Sequence, residues 1–484
     1  MEENKLLEIL VKYNPWWTTK KIPDAQKIEF KRRFFHHLKK EFKDEKVCAI
    51  IGPRRVGKTV LLYQLIEDLL NKGVNDLNIL YISLDNDLLL SSNTSINEIL
   101  SVYYKFILKE TMGLNKNKIF VFFDEVQAEN KWHVEIKNFW DMKYNIKFFV
   151  SGSSSLLISE SMKKSLHGRV NTHLILPFKF SEVLEYNKVF DGKMNFLGVQ
   201  MALRSIFKEA ISKGQGVLFN AIQNVLGELI PYKDKIEILL NRYLIVGGYP
   251  EFLNESNYSV ISSEIKEKLK FTFYEDIILP FKLRNPAALN SLFSIISASS
   301  SNEINYSKTA KLLSLQRPTL KSYISYLEAI YLVSELEFFS RSPKERETNP
   351  KKIYINDCGI RNEVLGSLNE GLITNPAELG KVVEGFVMDH LKRMKFINEM
   401  NDQLFYWRNK NGEEVDFIFE YKGKEIPIEV KFRADISEDY LKGILSFMEE
   451  EKPSFGLVIT KDKLESDQKN KLLFVPLWLF SIMV

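Results

Sequence analysis

The sequence predicts an α/β protein built from a parallel-sheet core, a helical middle, a helix-turn-helix with a β-hairpin, and a second, smaller α/β region. Three observations carry this. From Val47 to about Ile175, continuous apolar runs alternate with helical patterns, which is how a parallel sheet buried on both faces reads. The run Gly52-Pro53-Arg54-Arg55-Val56-Gly57-Lys58-Thr59 sits between the first apolar run and an apolar-periodic helix at 60–70. Near the carboxyl end, a helix is followed by strands carrying Asp416 and Glu429-Val430-Lys431.

At 484 residues, the chain has room for about three domains. Its 45% hydrophobic and 27% charged content is ordinary for a globular protein. A formal net charge of +4 means that any nucleic-acid contact must come from local patches. One such patch is 20–46, with Arg32-Arg33 and Lys39-Lys40, which also suits a solvated amphipathic helix. Cys48 and Cys358 are too few for a disulfide framework or a zinc-finger pattern, and the histidines lack metal-ligand spacing. The first twenty residues carry no apolar signal region, and the longest apolar run, 472–484, contains Pro476 and Ser481 and is too short to span a bilayer. It is expected to be a buried strand. The expectation is a soluble, cytoplasmic protein without a membrane partner.

The amino-terminal strands are expected at 47–51, 79–84, 119–123, 147–151 and 173–176. The 52–59 run fits G-x-x-x-x-G-K-[ST], the phosphate-binding P-loop. Its glycines let backbone N–H groups face a phosphate, and the following helix adds positive partial charge. Lys58 then reaches the β- and γ-phosphates of ATP, Thr59 holds Mg²⁺, and Val60 opens the helix. Phe120-Val121-Phe122-Phe123-Asp124-Glu125 fits a Walker B strand, with Asp124 in the Mg²⁺ shell and Glu125 placed to polarise a water. Ser151 and Ser153, in Ser151-Gly152-Ser153-Ser154-Ser155, both suit a side chain sensing the γ-phosphate, and the sequence does not choose between them. Arg169 reads equally as a surface residue and as a cation stabilising the transferred phosphoryl group, in cis or from a neighbouring subunit.

These segments, Gly52 to Thr59, Asp124-Glu125-Val126-Gln127, Ser151-Gly152-Ser153-Ser154 and Leu166-His167-Gly168-Arg169, resemble an archaeal and bacterial AAA+-type ATPase family. Tyr243-Leu244 and Gly247-Gly248-Tyr249-Pro250-Glu251-Phe252 resemble a further hallmark of it. The resemblance covers most of the chain and is poor at 186–235. It implies a P-loop NTPase core, ATP binding and hydrolysis, and a carboxyl-terminal domain of unknown function with a nuclease-like core. It does not supply a substrate.

Further along, Ser307 is expected to cap a helix at 308–314, Leu315-Gln316-Arg317 to turn, and Pro318 to open a helix at 319–330. Two β segments, 331–339 and 352–355, flank a loop with Arg341, Lys344, Arg346 and Lys351. That is a winged helix with a basic wing. On DNA, Arg317, Thr319, Lys321 and Ser322 would face the groove. A winged helix serving protein contacts is the equal alternative.

The carboxyl-terminal order is a helix at 375–394, strands at 404–408, 415–421 and 426–432, a helix at 440–450, and strands at 455–460 and 473–478. Glu429 and Lys431 share a strand face, and Asp416 on the preceding strand reaches the same point. Two carboxylates suit Mg²⁺ or Mn²⁺, Lys431 suits orienting a water, and Glu384 adds a carboxylate from the helix. This resembles the PD-(D/E)XK restriction-endonuclease-like fold, although Asp416 follows Val415 instead of proline. Trp407 and Arg408 beside this site suit base stacking and phosphate pairing, or core packing.

The expected organisation is therefore an N-terminal helical segment (1–46), an ATPase core (47–180), a helical lid with an insertion (181–284), a winged helix (285–356), a linker (357–375) and a nuclease-like domain (376–484). Three functions fit: an ATPase coupled to processing of DNA or RNA, an NTP-dependent regulatory switch for protein partners with a vestigial nuclease domain, and a metal-dependent nuclease gated by nucleotide. Assembly into a homo-oligomer is open.

Overall fold

The computed structural model describes residues 1–153, 165–190, 192, 194–397, 403–433 and 435–484. Ser154 and Ser155 of the serine-rich loop lie outside them. The chain divides into two compact units, Met1–Leu176 and Pro177–Val484.

The first unit is built on β1 (Val47–Ile51), β2 (Ile79–Ser83), β3 (Ile119–Asp124), β4 (Ile146–Gly152) and β5 (Val170–Leu174), all parallel, in the order β2-β3-β4-β1-β5. The inner strands are buried along their length, as continuous apolar runs require. The fifth strand starts three residues before its expected position, because the polar Asn171, Thr172 and His173 belong to a half-buried edge strand. The other edge, β2, is closed by side chains from the amino-terminal segment. Asn14 bridges the Tyr81 backbone from both sides (Nδ2 to O 2.8 Å, Oδ1 from N 2.6 Å), and the indole N–H groups of Trp16 and Trp17 both donate to the Ile79 carbonyl. Free strand edges invite association, and these residues cover one.

The basic stretch at 20–46 keeps Lys20, Lys21, Lys27, Lys40, Lys43 and Lys46 exposed, and other cations of it meet partners within the chain. Lys31 pairs with Glu67 and Lys39 with Asp68 on the helix Lys58–Asn71. Glu41 is buried and takes the ammonium of the fully buried Lys147 at 3.2 Å, His173 Nε2 at 2.9 Å and the Asn171 amide at 3.2 Å. Burial alone raises the Glu41 pKa. The His173 and Asn171 hydrogen bonds and the Lys147 charge outweigh it and hold the group at about 2.

In the second unit, helices including Phe180–Tyr186, Phe196–Lys213, Gln215–Leu229, Lys233–Val246 and Tyr258–Phe273 fill the region expected to be helical. The helix-turn-helix is Tyr306–Leu312 and Arg317–Ala329. Its first helix begins earlier than expected because Asn305, not Ser307, is the cap, accepting the Lys308 N–H at 2.9 Å. Strands β6 (Asn302–Glu303), β7 (Val333–Phe338) and β8 (Lys352–Ile355) form the hairpin region. Strands β9 (Gln403–Arg408), β10 (Glu414–Tyr421), β11 (Lys424–Lys431), β12 (Gly456–Thr460), β13 (Glu465–Asp467) and β14 (Leu472–Pro476) follow, with the helices Pro376–Ile397 and Lys442–Glu451.

The end of β7 pairs in parallel with β9, through Glu337 with Phe405 and Phe338 with Tyr406. The hairpin and the carboxyl-terminal strands are therefore one nine-stranded sheet, β13-β14-β12-β11-β10-β9-β7-β8-β6. Two expectations change. The segment between β7 and β8 is not a free basic wing but carries the helix Pro343–Thr348. Three of its four cations meet partners within the chain, Arg341, though 71% exposed, on Glu425 and Glu451 at 2.7 Å each, Lys351 on Glu335 and Glu337, and Arg346 on Gln403 and the Phe405 ring, while Lys344 is exposed. The run at 472–484 is not one strand. Pro476 ends β14 and caps a buried helix, Leu477–Met483. Among the described residues, no helix is long and apolar enough to cross a membrane.

The Glu41 cluster gives a first prediction. A carboxyl held at about 2, below its ordinary 4.5, contributes stability that is present above pH 4.5 and lost as pH falls towards 2. Glu41→Gln leaves Lys147 buried without its counter-charge, so urea unfolding at neutral pH should show a loss of about 3–5 kcal/mol. The acid-side slope of stability should flatten in the same variant.

Candidate functional site

The parallel register brings the carboxyl ends of β1, β3 and β4 level, and the loops that leave them meet there. Gly52 follows β1 so closely to the chain leaving β5 that a Cβ would lie 2.0 Å from the Ile175 carbonyl oxygen. Only glycine fits. Pro53, Arg54 and Arg55 carry the loop round, Arg55 with a left-handed φ of 63°, and Val56 is fully buried beneath it. Arg32 holds the loop from outside the motif, donating to the Val56 carbonyl at 3.3 Å and the Leu176 carbonyl at 2.9 Å. Gly57 (φ 95°) leads into the helix Lys58–Asn71, on whose first turn Thr59 and Val60 stand.

The Lys58 ammonium lies within the loop, 3.1 Å from the Gly52 carbonyl and 3.0 Å from that of Pro53. Thr59 Oγ1 donates to Asp124 Oδ2 at 2.7 Å. The same oxygen accepts Tyr81 Oη at 3.0 Å, and Asp124 Oδ1 accepts the Ser151 hydroxyl. Burial pushes the Asp124 pKa up, against the hydrogen bonds from Ser151 and Thr59 that lower it. A hydroxyl and a carboxylate oxygen in contact are a donor set that a hard cation such as Mg²⁺ accepts. Glu125 adopts a left-handed φ of 50° that costs a non-glycine residue about 1–2 kcal/mol, and Gln127 Nε2 donates to its carboxylate. The other end of the Gln127 amide accepts the Ser153 N–H at 3.4 Å. Of the two serines, Ser151 meets Asp124, and Ser153 is one step removed, through Gln127. Tyr81 is new to the site, and the contacts that Gln127 and Arg32 make here are not marked by the motif and the basic patch in which they stand, since nothing local shows which side chain faces a carboxylate or a loop carbonyl.

Arg169 is placed away from this centre. Parallel pairing sets Val170 beside Val47 and Leu174 beside Ile51. Arg169 therefore stands at the amino end of the strands, about 15 Å along β1 from the loop. It pairs with Asp141 at 2.9 Å and lies over Trp140. The cis role considered for it does not fit that position.

In the second unit, the antiparallel β10–β11 register, with Phe417 opposite Ile428, carries Asp416 and Glu429 to the same level. Asp416 Oδ2 accepts the Val430 N–H at 2.8 Å, the Asp416 N–H donates to Glu429 Oε2 at 3.3 Å, and the Lys431 ammonium pairs with Glu429 Oε1. Glu384, from the helix Pro376–Ile397, accepts Tyr354 Oη at 2.8 Å and lies 3.7 Å from Lys352 Nζ. Burial and the Asp416 charge push both Glu384 and Glu429 above the usual carboxylate range. Burial lowers the Lys431 pKa, but Glu429 and Asp416 more than reverse this. Of the expected set, Asp416, Glu429 and Lys431 are in contact, while Glu384 contacts Tyr354 and Lys352 and feels the Asp416 charge. Lys352, Tyr354 and Glu414 join it from strands whose link to this site no spacing reveals.

The proposed nucleic-acid residues fare differently. Trp407 is buried, edge-on to Phe447 at 5.3 Å, so it is a core side chain and not a stacking platform. Arg408 is held by Glu414 at 2.9 Å and Glu303 at 2.9 Å. Arg317, Lys321 and Ser322 are exposed and Thr319 is half-buried. Arg317 and Lys321 line a cavity of about 410 Å³ whose walls also carry Glu303, Glu328, Glu335 and Glu347. Those carboxylates oppose a phosphate backbone.

Residues 44–184 match the model of the AAA domain, residues 237–370 a domain of unknown function (DUF8612), and residues 379–480 another (DUF4143). An uncharacterized protein of Methanocaldococcus jannaschii is 29% identical over 388 residues, 79% of this chain and 74% of that one. A second uncharacterized protein of that organism is 25% identical over 461 residues, 92% of this chain and 88% of its own. Among solved structures, the Walker-type ATPase of Pyrococcus abyssi is similar at 14% identity, covering 72% of this chain and 99% of that chain with a TM-score of 0.37. The parallel sheet with its P-loop and the AAA-domain match over 44–184 agree on an AAA-type, P-loop ATPase-like fold for the first unit.

Proposed function

We propose that the chain binds ATP with Mg²⁺ and hydrolyses it, and that this turnover serves a phosphodiester-processing site in the second unit. The contact of Thr59 with Asp124 at 2.7 Å, beside Lys58, carries the first part. Lys58 leaves its loop carbonyls for the β- and γ-phosphates, and the loop N–H groups receive the remaining oxygens. Thr59 and Asp124 would hold the ion, which would supply charge neutralisation at the phosphates. Glu125, its carboxylate set by Gln127, orients and polarises the attacking water.

For the second part, Asp416, Glu429 and Glu384 suit a Mg²⁺ or Mn²⁺ ion, which would supply Lewis-acid stabilisation of a phosphodiester. Lys431 holds Glu429 and orients a water. The helix-turn-helix offers mixed support for DNA docking, since its exposed face borders four glutamates and Arg341 and Lys351 are paired, while Lys344 is exposed. The same observations favour a second reading, in which nucleotide turnover switches the binding of protein partners through that face. Homo-oligomeric assembly accords with either.

The two parts are separable by experiment. Fluorescent-nucleotide titration should show Lys58→Ala losing ATP affinity by about ten-fold or more, while Glu125→Gln keeps affinity and loses about 100-fold in phosphate release. Turnover surviving in Glu125→Gln would remove that residue from its role. Arg169→Ala should leave both quantities within about two-fold, as a surface pair does. For the carboxylate site, plasmid or single-stranded DNA or RNA incubated with Mn²⁺ should be cut by the wild type and not by Lys431→Ala. Cutting that persists in the variant defeats the assignment, and absence of both cutting and nucleic-acid-stimulated ATP turnover favours the switch.

A further inference from the structure

The helix-turn-helix carries charges in an order that its own backbone disfavours. Arg317, Lys321 and Glu328 share one face of the helix Arg317–Ala329, at i, i+4 and i+11. The field of a helix favours carboxylates at the amino end and cations at the carboxyl end. Here the first turn holds no acid and opens on Arg317, the last turn holds no base, and Glu328 stands next to the final residue. Neighbours do not compensate. Among the described residues, Arg317 and Lys321 make no ion pair; both are exposed, and the Lys321 ammonium stands 5.6 Å over the Tyr306 ring. Glu328 is half-buried and makes no ion pair either, its Oε1 accepting the Glu335 N–H at 2.9 Å. Burial pushes its carboxyl up, and that hydrogen bond, with the Lys392 and Lys351 charges at longer range, leaves it raised.

All three residues line the cavity of about 410 Å³. On its facing wall the charges are already answered. Glu335 takes Tyr306 Oη on one oxygen and Lys351 Nζ, at 3.4 Å, on the other, and Lys351 also meets Glu337 at 3.0 Å. Glu303 takes Arg408 at 2.9 Å and Tyr406 Oη at 3.1 Å. The cavity therefore leaves open a cationic end at Arg317 and Lys321 and an acidic end at Glu328, about 10–16 Å apart along the helix at ~1.5 Å per residue. Its rim, with Arg317, Lys321 and Glu347, is exposed and admits a segment of a larger molecule. A nucleic-acid strand is negative along its whole length and would set phosphates against Glu328 and Glu347. An extended peptide advances about 3.3 Å per residue, so an acidic and a basic residue about three to five positions apart reach both ends.

We propose that this cavity docks a short extended segment of a partner protein, whose basic residue meets Glu328 and whose acidic residue, about three to five positions away, meets Arg317 and Lys321. This rests on the second reading above, in which that face binds protein partners, and it specifies the charges that the partner must carry.

The test is selection of phage-displayed random peptides on the full chain, with and without ATP and Mg²⁺. Enriched sequences should pair an acid with a base at that spacing. For one such peptide made synthetically, Glu328→Gln should raise the dissociation constant about ten-fold or more, and Arg317→Ala combined with Lys321→Ala about three-fold, with a weaker dependence on salt. Selection on Glu328→Lys should exchange the basic residue for an acidic one, and Glu328→Gln serves if that variant does not fold. Charge-paired peptides held equally with and without ATP keep the docking site and remove the switch. Enriched peptides that lack the charge pair, or that these variants bind as the wild type does, overturn the proposal and leave protein partners to another face. No enrichment in either nucleotide state also overturns it. If the Arg317→Ala and Lys321→Ala pair then weakens retention of DNA at low salt, the face binds nucleic acid, and the second reading falls with the proposal.

Discussion

The first unit is organised around the hydrogen bond from Thr59 to Asp124, and that bond is a consequence of strand order. Thr59 follows β1 and Asp124 ends β3, but β4 lies between those strands. The two side chains meet only because all three strands run parallel and end at one level, with Ser151 of β4 closing the gap onto the other Asp124 oxygen. A carboxylate so deeply buried pays a desolvation cost that returns it towards the neutral acid, useless for a cation. Donors from three directions, Thr59, Ser151 and Tyr81, offset part of that cost, and the pKa stays raised. The packing that fixes these donors, from the close pass of Gly52 on Ile175 to the Asn14 and tryptophan bridges on β2, therefore sets the electrostatics of the centre.

The second unit solves a different electrostatic problem. Its sheet joins a helix-turn-helix hairpin to a carboxylate-bearing set of strands, so side chains that a separate hairpin would present to solvent end up against acidic neighbours. Arg341, Lys351 and Lys352 each lie on two carboxylates. Non-specific affinity for nucleic acid comes from cations that exchange water and counter-ions for phosphates. Cations already paired with carboxylates, as Lys351 and Lys352 are, have less of that to give.

Features encoded within one short stretch were readable from the sequence. The P-loop, the Asp124-Glu125 strand end and the Glu429-Val430-Lys431 alternation each carry strand or helix context within a few residues. Elements were likewise placed to within a few residues wherever apolar periodicity was continuous. The rest depended on partners distant in the chain. Trp407 reads as an available aromatic until Phe447 packs on it, and Arg341 as a free cation until Glu425 and Glu451 arrive. Lys352 and Tyr354 carry no mark of the site they complete. Some signals were local and were passed over: Pro343 opening a helix after Ser342, Asn305 capping ahead of Ser307, and Pro476 dividing the last apolar run into a strand and a helix.

The Gly247-Gly248-Tyr249-Pro250-Glu251-Phe252 segment shows how a motif that stands out in sequence can be structural. A Cβ on Gly248 would lie 2.3 Å from the Phe178 carbonyl oxygen, and one on Gly247 would lie 2.2 Å from Asp357 Oδ1. Asp357 uses its two oxygens on the N–H groups of Gly248, at 2.9 Å, and Ile360, at 3.0 Å, so one buried carboxylate both seats this turn and caps the helix Cys358–Val364. Lys268 lies over the Tyr249 ring, 3.4 Å from its centre, and pairs with Glu251. The Gly248 N–H, the Tyr249 ring and the Glu251 carboxylate are thus all met by groups of the protein. What the glycines secure is the close approach of this turn to the Asp357 carboxylate and the Phe178 carbonyl, an unforgiving steric requirement. A requirement of that kind explains a conspicuous sequence pattern without any ligand.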